Sequence, residues 1–225
     1  MNEAPKKVRW QDVETVLLDM DGTLLDLHFD NQFWLHHMPL RYAELKGIPQ
    51  DEAKAYLYRR YKAVEGTMDW YCLDYWTREL YMDVALLKEE VEHLIAVHPH
   101  VTEFLDALGA SGRRIVLVTN AHGKSLRLKM DKTRLEGRLD RVVCSHDLGL
   151  PKEDRRFWAR LRELEPFTRE STLLVDDSLA VLRSAAAYGI HQLLAVYRPD
   201  SQAPVRDIDE FPAIHSFREI MPPNA

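Results

Sequence analysis

Four short stretches carry side chains that could do chemistry together. Asp19-Met20-Asp21-Gly22-Thr23 sets two carboxylates two residues apart, directly after the apolar run Val16-Leu17-Leu18, and Gly22 lets the backbone turn tightly there. One acid could serve as a nucleophile or metal ligand and the other as a general acid/base. Val118-Thr119-Asn120 offers a hydroxyl and a backbone N–H that can hold a phosphate oxygen at the end of a strand. Gly149-Leu150-Pro151-Lys152 puts a lysine at the expected start of a helix, against the macrodipole preference, where an anionic partner would offset the cost. Leu173-Leu174-Val175-Asp176-Asp177-Ser178 ends a buried run in adjacent acids, which repel each other unless a hard, oxygen-seeking cation such as Mg²⁺ neutralises them. Each stretch alone has a plainer reading: an Asp-Gly turn, an N-cap, a surface lysine, a helix cap at Asp177 or Ser178. Converging on one crevice, they suit phosphoryl transfer, with a carboxylate attacking in line while a metal and a lysine offset the phosphate charge.

The elements between these stretches explain how they could converge. Short apolar runs at 16–18, 115–118, 141–144, 173–175 and 191–196 read as strands and alternate with helical stretches at 101–108, from 123, at 153–164 and at 178–188. That alternation predicts a parallel sheet covered on both faces, in which ligands bind at the carboxyl ends of the strands. Residues 29–97 break the rhythm. They read as helices interrupted at Pro39, Gly47 to Pro49 and Gly66, with apolar positions at helical spacing at Leu73, Trp76 and Leu80, then Val84, Leu87, Val91 and Leu94. The fold expected is α/β: a Rossmann-like parallel-sheet core, residues 1–27 plus 98–225, interrupted after its first strand by an α-helical insertion, residues 28–97. The tail from Arg198 is rich in Pro and polar residues and reads as a surface wrap with one short element near 213–220.

Composition bounds the remaining possibilities. The 225 residues carry 36 acidic against 30 basic side chains, a formal charge of −6, which argues against a general nucleic-acid binder. No apolar run approaches the ~18 residues of a membrane helix, and the polar start to Trp10 lacks the apolar stretch of a secretory signal. Two distant cysteines, Cys72 and Cys144, form no disulfide framework, so a cytoplasmic location is expected. The ten histidines form no zinc-protease pair.

With these four motifs in this order, the sequence resembles the haloacid dehalogenase-like (HAD) hydrolase superfamily across nearly its whole length. The resemblance implies the HAD fold, the Rossmann-like core carrying a helical cap of the C1 type. It further implies that Asp19 is the nucleophile that becomes an aspartyl-phosphate, and that Asp21 protonates the leaving oxygen and then activates water. Thr119 and the backbone of Asn120 would hold the phosphoryl oxygens, and Lys152 would bridge nucleophile and phosphate. Asp176 would bind Mg²⁺ with Asp19 and the backbone carbonyl of Asp21, with Asp177 beside it. Val175 stands where many members have Gly. Asp21 argues against the halide-displacing members, whose leaving group needs no proton.

Further segments narrow the implied substrate. Trp10-Gln11-Asp12-Val13, Phe29-Asp30-Asn31-Gln32-Phe33-Trp34 and Trp70-Tyr71-Cys72-Leu73-Asp74-Tyr75-Trp76 resemble the purine-nucleotidase branch of the superfamily. That implies a small phosphate monoester partner, the 5′-phosphate of GMP or IMP, with no nucleic-acid or membrane partner. Trp70, Tyr71 and Tyr75 could then stack on a base, and Asp30, Asn31 and Asp74 could hydrogen-bond base or ribose, whereas Trp76 reads more readily as core. Two rivals share the motifs: a sugar-phosphate or phosphoglycolate phosphatase or phosphomutase, and a non-enzymatic receiver-like regulator. The helical insertion and Asp21 argue against the receiver.

Overall fold

A computed structural model describes residues 7–223. Six strands, β1 (Thr15–Leu18), β2 (Arg114–Thr119), β3 (Arg141–Cys144), β4 (Thr172–Val175), β5 (Gln192–Val196) and β6 (Ala213–Ile214), form one sheet in the order β3-β2-β1-β4-β5-β6. Every pairing is parallel. The first strand of the chain therefore lies inside the sheet, flanked by β2 and β4. Its four residues are all buried, as a strand covered on both faces requires.

Side chains alternate between the two faces. Val16, Leu18, Ile115, Leu117, Leu173 and Val175 pack with Phe104, Leu105 and Leu108 of α7 (Val101–Ala110), while α8 (Gly123–Thr133) adds Met130. Leu17, Val116, Val118 and Leu174 face the other way. They meet Phe157, Trp158 and Leu161 of α10 (Arg155–Leu164) and Val181, Leu182 and Ala185 of α11 (Leu179–Tyr188). The short α9 (Ser145–Leu148) follows β3 directly. The tail carries the short element expected near 213–220. Its β6 extends the sheet, and Ile214, Phe217 and Ile220 join the first of these layers.

Between β1 and β2 stand α1 (His28–Gln32), α2 (Met38–Lys46), α3 (Gln50–Val64), α4 (Met68–Tyr71), α5 (Leu73–Leu80) and α6 (Val84–Glu89). They build a core of their own from Phe33, Met38, Leu57, Tyr61, Leu73, Trp76, Leu80, Val84 and Leu87. Pro39 does not interrupt this block; it sits in the first turn of α2, where its missing N–H costs nothing. The irregularity lies just before it, in a π-helical turn at Phe33–His37. Val91 and Leu94 fall beyond the end of α6, around a single 3₁₀ turn, rather than continuing its helix.

The chain leaves and re-enters the sheet layer through adjacent segments. The Asp26 N–H donates to the Ala96 carbonyl at 2.9 Å and the His98 N–H to the Leu24 carbonyl at 2.9 Å. The turn after β1 is tight: the Gly22 N–H donates to the Leu25 carbonyl at 2.7 Å with φ at +87°. A Cβ there would also lie 2.8 Å from Asp177 Cγ and 2.9 Å from Pro199 Cβ. Gly22→Ala thus combines left-handed strain with a clash against a carboxylate and a proline ring. It is expected to destabilise the protein by about 2 kcal/mol or more, read as a lowered midpoint in urea denaturation.

Candidate active site

Asp19 and Asp176 each follow a strand by one residue, and the register Leu18↔Val175 brings them level. The Asp19 N–H continues the ladder to the Val175 carbonyl at 3.0 Å, and the Asp176 N–H reaches the Leu194 carbonyl at 3.1 Å. Between the two carboxylates lies the Lys152 ammonium, 2.5 Å from Asp19 Oδ1, 2.7 Å from Asp176 Oδ2 and 3.1 Å from the Val118 carbonyl. Lys152 is only 2% exposed. Burial opposes its charge, but Asp176 and Asp19 outweigh burial and raise its pKa. It precedes the helix rather than starting it: Asp154 caps α10, so the macrodipole does not bear on Lys152. Its position is fixed instead by the Asn120 Oδ1, which accepts its backbone N–H at 3.0 Å.

The acids outnumber that one cation. Asp19, Asp176 and Asp177 bring carboxylate oxygens within 4.8 Å of one another. Burial pushes the Asp19 pKa up to about 6, with Asp176 adding to the rise and Lys152 opposing it; Asp177 is raised well above the usual range, again chiefly by burial. Asp19 Oδ2 is buried without a hydrogen-bond partner. An all-oxygen donor set with surplus negative charge and one idle oxygen fits a hard divalent cation. The Asp21 carboxylate is not one of the three that converge. Ser178 caps α11, accepting from the Val181 N–H at 3.4 Å, while Asp176 Oδ1 accepts the Ser178 N–H at 2.9 Å.

Asp21 belongs to a second, alternating charge chain. Lys129 of α8 donates to Asp21 Oδ1 and Asp30 Oδ2, and Lys88 of α6 donates to Asp30 Oδ1, each at 2.6 Å. Lys129 and Lys88 are 1% and 2% exposed. Burial pushes Asp21 up to about 6 against the pull of Lys129. Asp30 goes the other way: burial opposes its charge, but Lys129 and Lys88 prevail and hold it at about 2.

These groups, Lys129 excepted, line one cavity of about 420 Å³. Its polar end holds Asp19, Asp21, Thr119, Asn120, Lys152 and Asp176; its other end is walled by Trp34, Leu35, Tyr61, Trp70, Tyr71 and Trp76. Thr119 Oγ1 accepts the Ala121 N–H at 3.0 Å. Glu153 ties the two ends together, accepting from Asn120 Nδ2 at 2.9 Å and from the Tyr71 hydroxyl.

A profile of the haloacid dehalogenase-like hydrolases matches residues 13–189. The chain is also 40% identical over 215 residues to GMP/IMP nucleotidase YrfG of Escherichia coli, covering 96% of this chain and 97% of that one, and equally to its Shigella flexneri counterpart. The chain belongs to the haloacid dehalogenase-like hydrolases. Solved structures share the fold. A HAD phosphatase from Thermococcus onnurineus superposes with a TM-score of 0.77 at 21% identity, covering 92% of this chain and 96% of that one. The L-2-haloacid dehalogenase from Xanthobacter autotrophicus does so at 0.60 and 15%, with the same coverage.

The hydrolase cavity gathers all seven motif residues: Asp19, Asp21, Thr119, Asn120, Lys152, Asp176 and Asp177. The aromatic end differs from expectation. Trp70 and Tyr71 line it, but Tyr75 does not; it lies edge-on to Trp76 on another face of α5. Asp74 lies outside as well, bound to Lys124 at 2.6 Å. Asp30 lines the cavity with both oxygens taken by lysines, and Asn31 lines it while donating to Asp200 at 2.7 Å. Trp76 is core, 1% exposed, yet its ring also closes the cavity. Sequence reasoning missed Trp34, Tyr61, Lys88, Lys129 and Glu153.

Asp30 should stabilise the fold measurably. Its carboxyl lies below its ordinary value of 3.8, so its contribution is present above that value and is lost as pH falls toward about 2. Asp30→Asn leaves Lys88 buried without a counter-ion and is expected to cost about 3 kcal/mol at neutral pH. Between about pH 4 and pH 2 the variant should lose less stability than the parent, because the titrating group is gone. Denaturant melts across that range check both signs.

Proposed function

We propose that this hydrolase is a Mg²⁺-dependent 5′-nucleotidase acting on purine nucleoside monophosphates, GMP and IMP among them. The observation that carries the reading is the cavity itself. A buried, doubly bonded lysine and a carboxylate cluster stand at one end and an aromatic wall at the other, in a chain 40% identical to a GMP/IMP nucleotidase over nearly the whole of both. A nucleoside monophosphate has those two ends.

In this reading an Asp19 oxygen attacks phosphorus, the bond to the ester oxygen breaks, and Asp21 gives its proton to that leaving oxygen. Asp21 then takes a proton from the water that attacks the aspartyl-phosphate, and Asp19 is released. A carboxyl held near 6 by burial suits both halves of that task at neutral pH. Lys152 fixes Asp19 and balances charge, Thr119 and the Asn120 backbone would hold phosphoryl oxygens, and Asp19, Asp176 and the Asp21 carbonyl would hold Mg²⁺ with Asp177 beside them. The metal would offset the phosphate charge as a Lewis acid. Asp21 is also what favours ester hydrolysis over halide displacement on this shared fold.

Residues 28–97 act as a cap over the core, whose described residues are 7–27 and 98–223. Contacts from Tyr71 to Glu153 and from Asp74 to Lys124 support a closed arrangement that keeps bulk water from the intermediate. A cytoplasmic setting agrees with two free thiols; among the described residues no helix is long and apolar enough to cross a membrane.

Phosphate release from GMP, IMP, AMP, pyrimidine monophosphates and phosphoglycolate, compared side by side, tests the substrate. Purine monophosphates should lead, and activity confined to phosphoglycolate or sugar phosphates would sink the claim. Asp19→Asn should lower kcat by roughly 10⁴-fold or more, and undiminished hydrolysis would refute the nucleophile. Chelation by EDTA should abolish turnover and added Mg²⁺ restore it.

A further inference from the structure

Lys88 is a lysine in an unusual place. It belongs to α6, is 2% exposed, and lines the cavity. An ammonium carries three N–H donors and no acceptor. Among the described residues one donor of Lys88 is answered by oxygen, at Asp30 Oδ1, 2.6 Å away. Around the rest of the group stand aromatic faces: Nζ lies 4.7 Å from the Phe29 ring centre, 4.8 Å from Phe33 and 5.6 Å from Trp34. Ring faces steady a cation but do not replace hydrogen-bond acceptors. Two N–H groups therefore have no oxygen partner among the described residues, and of the three rings Trp34 also lines the cavity, so the ammonium borders it on that side. The second oxygen of Asp30 is bound to Lys129, so Asp30 gives Lys88 a single hydrogen bond.

Position adds to the argument. From Lys88 to the Asp21 carboxyl the chain runs through Asp30 and Lys129 over three hydrogen bonds of 2.6 Å. A substrate whose phosphate is placed beside Asp19 would extend its distal part along the same cavity that Lys88 lines, with Trp34 near the ammonium and lining that cavity too.

We propose that Lys88 selects 6-oxopurines, its two spare N–H groups meeting the O6 and N7 acceptors of the substrate base. The proposal rests on the nucleotidase reading and supplies its specificity. Guanine presents O6 and N7 as neighbouring acceptors on one edge, and hypoxanthine has the same edge. Adenine puts an amino donor where O6 would be, so a donor-only lysine meets a donor. GMP and IMP differ at C2, on the far side of the ring, which Lys88 does not read. One residue thereby accepts both nucleotides and turns away AMP, and it accepts xanthosine monophosphate on the same terms.

The parent protein can be tested with substrates alone. GMP, IMP and xanthosine monophosphate should share one range of kcat/KM. AMP and 2-aminopurine riboside monophosphate, which is GMP without O6, should fall below GMP by roughly 10- to 100-fold. Equal turnover of GMP and the 2-aminopurine nucleotide overturns the proposal. Lys88→Gln places an acceptor and a donor at the same point, the pair that reads adenine, and should raise the AMP-to-GMP ratio of kcat/KM at least about tenfold. Lys88→Arg, donor-only like the parent, should keep the parental order. A folded Lys88→Gln protein with an unchanged ratio refutes the assignment; if that variant fails to fold, the substrate comparison on the parent still decides. Hydrolysis of phosphoglycolate with none of any purine monophosphate would instead bring down the nucleotidase reading, and this inference with it.

Discussion

Two carboxylates at the ends of adjacent parallel strands cannot both stay ionised in a buried site without a cation between them, and Lys152 is that cation. Its ammonium bonds Asp19, Asp176 and the Val118 carbonyl, touching the ends of three neighbouring strands at once. Much else follows from holding it there. Asn120 orients the backbone of Lys152, Glu153 follows it and anchors Asn120 in return, and Tyr71 reaches down from the helical insertion to the same glutamate. Even the turn at Gly22 is constrained by this cluster, because Asp177 leaves no room for a Cβ. A buried pair of this kind contributes little net stability, but removing either partner is costly. The arrangement is better understood as fixing positions than as holding the protein together.

The second charge chain shows the same logic across a longer span. Asp21, Lys129, Asp30 and Lys88 alternate in sign and sum to zero, so four titratable groups share one low-dielectric region without surplus charge. Their carriers differ: the turn after β1, α8 beside the sheet, and α1 and α6 of the insertion. The chain therefore joins the insertion to the sheet layer at the residue expected to move protons. Packing on either side is apolar and largely independent, three clusters in all, so these polar links set how the insertion sits on the sheet.

Strand ends were legible because the sheet is parallel and buried on both faces. Runs such as Val16-Leu17-Leu18 and Leu173-Leu174-Val175 stop at an acid, and ligands collect where such strands stop. The insertion was legible as helices, but not which of its faces points at the cavity. In α5 the buried set Leu73, Trp76 and Leu80 fixes the helix phase, which turns Asp74 and Tyr75 away from the site. Lys88 and Lys129 gave no signal at all. A lysine in a helix belongs to solvent by default, and only partners brought from distant segments reverse that. Trp34 was hidden by its π-helical turn, whose wider winding breaks the 3.6-residue phase. The tail's short element near 213–220 was legible, but not that two of its residues finish the sheet edge as β6.

Placing β1 inside the sheet has a kinetic side. Thr15 pairs with Arg114 on one flank and Thr172 on the other, so β1 waits for partners made much later. Such non-local pairing raises contact order and slows folding. The insertion offsets part of that cost. With its own apolar cluster and the backbone bonds that bring residues 24–26 beside 96–98, it can collapse early and act as a short connection in place of a long loop. The segment assigned to substrate selection would then also lower the entropy cost of assembling the sheet.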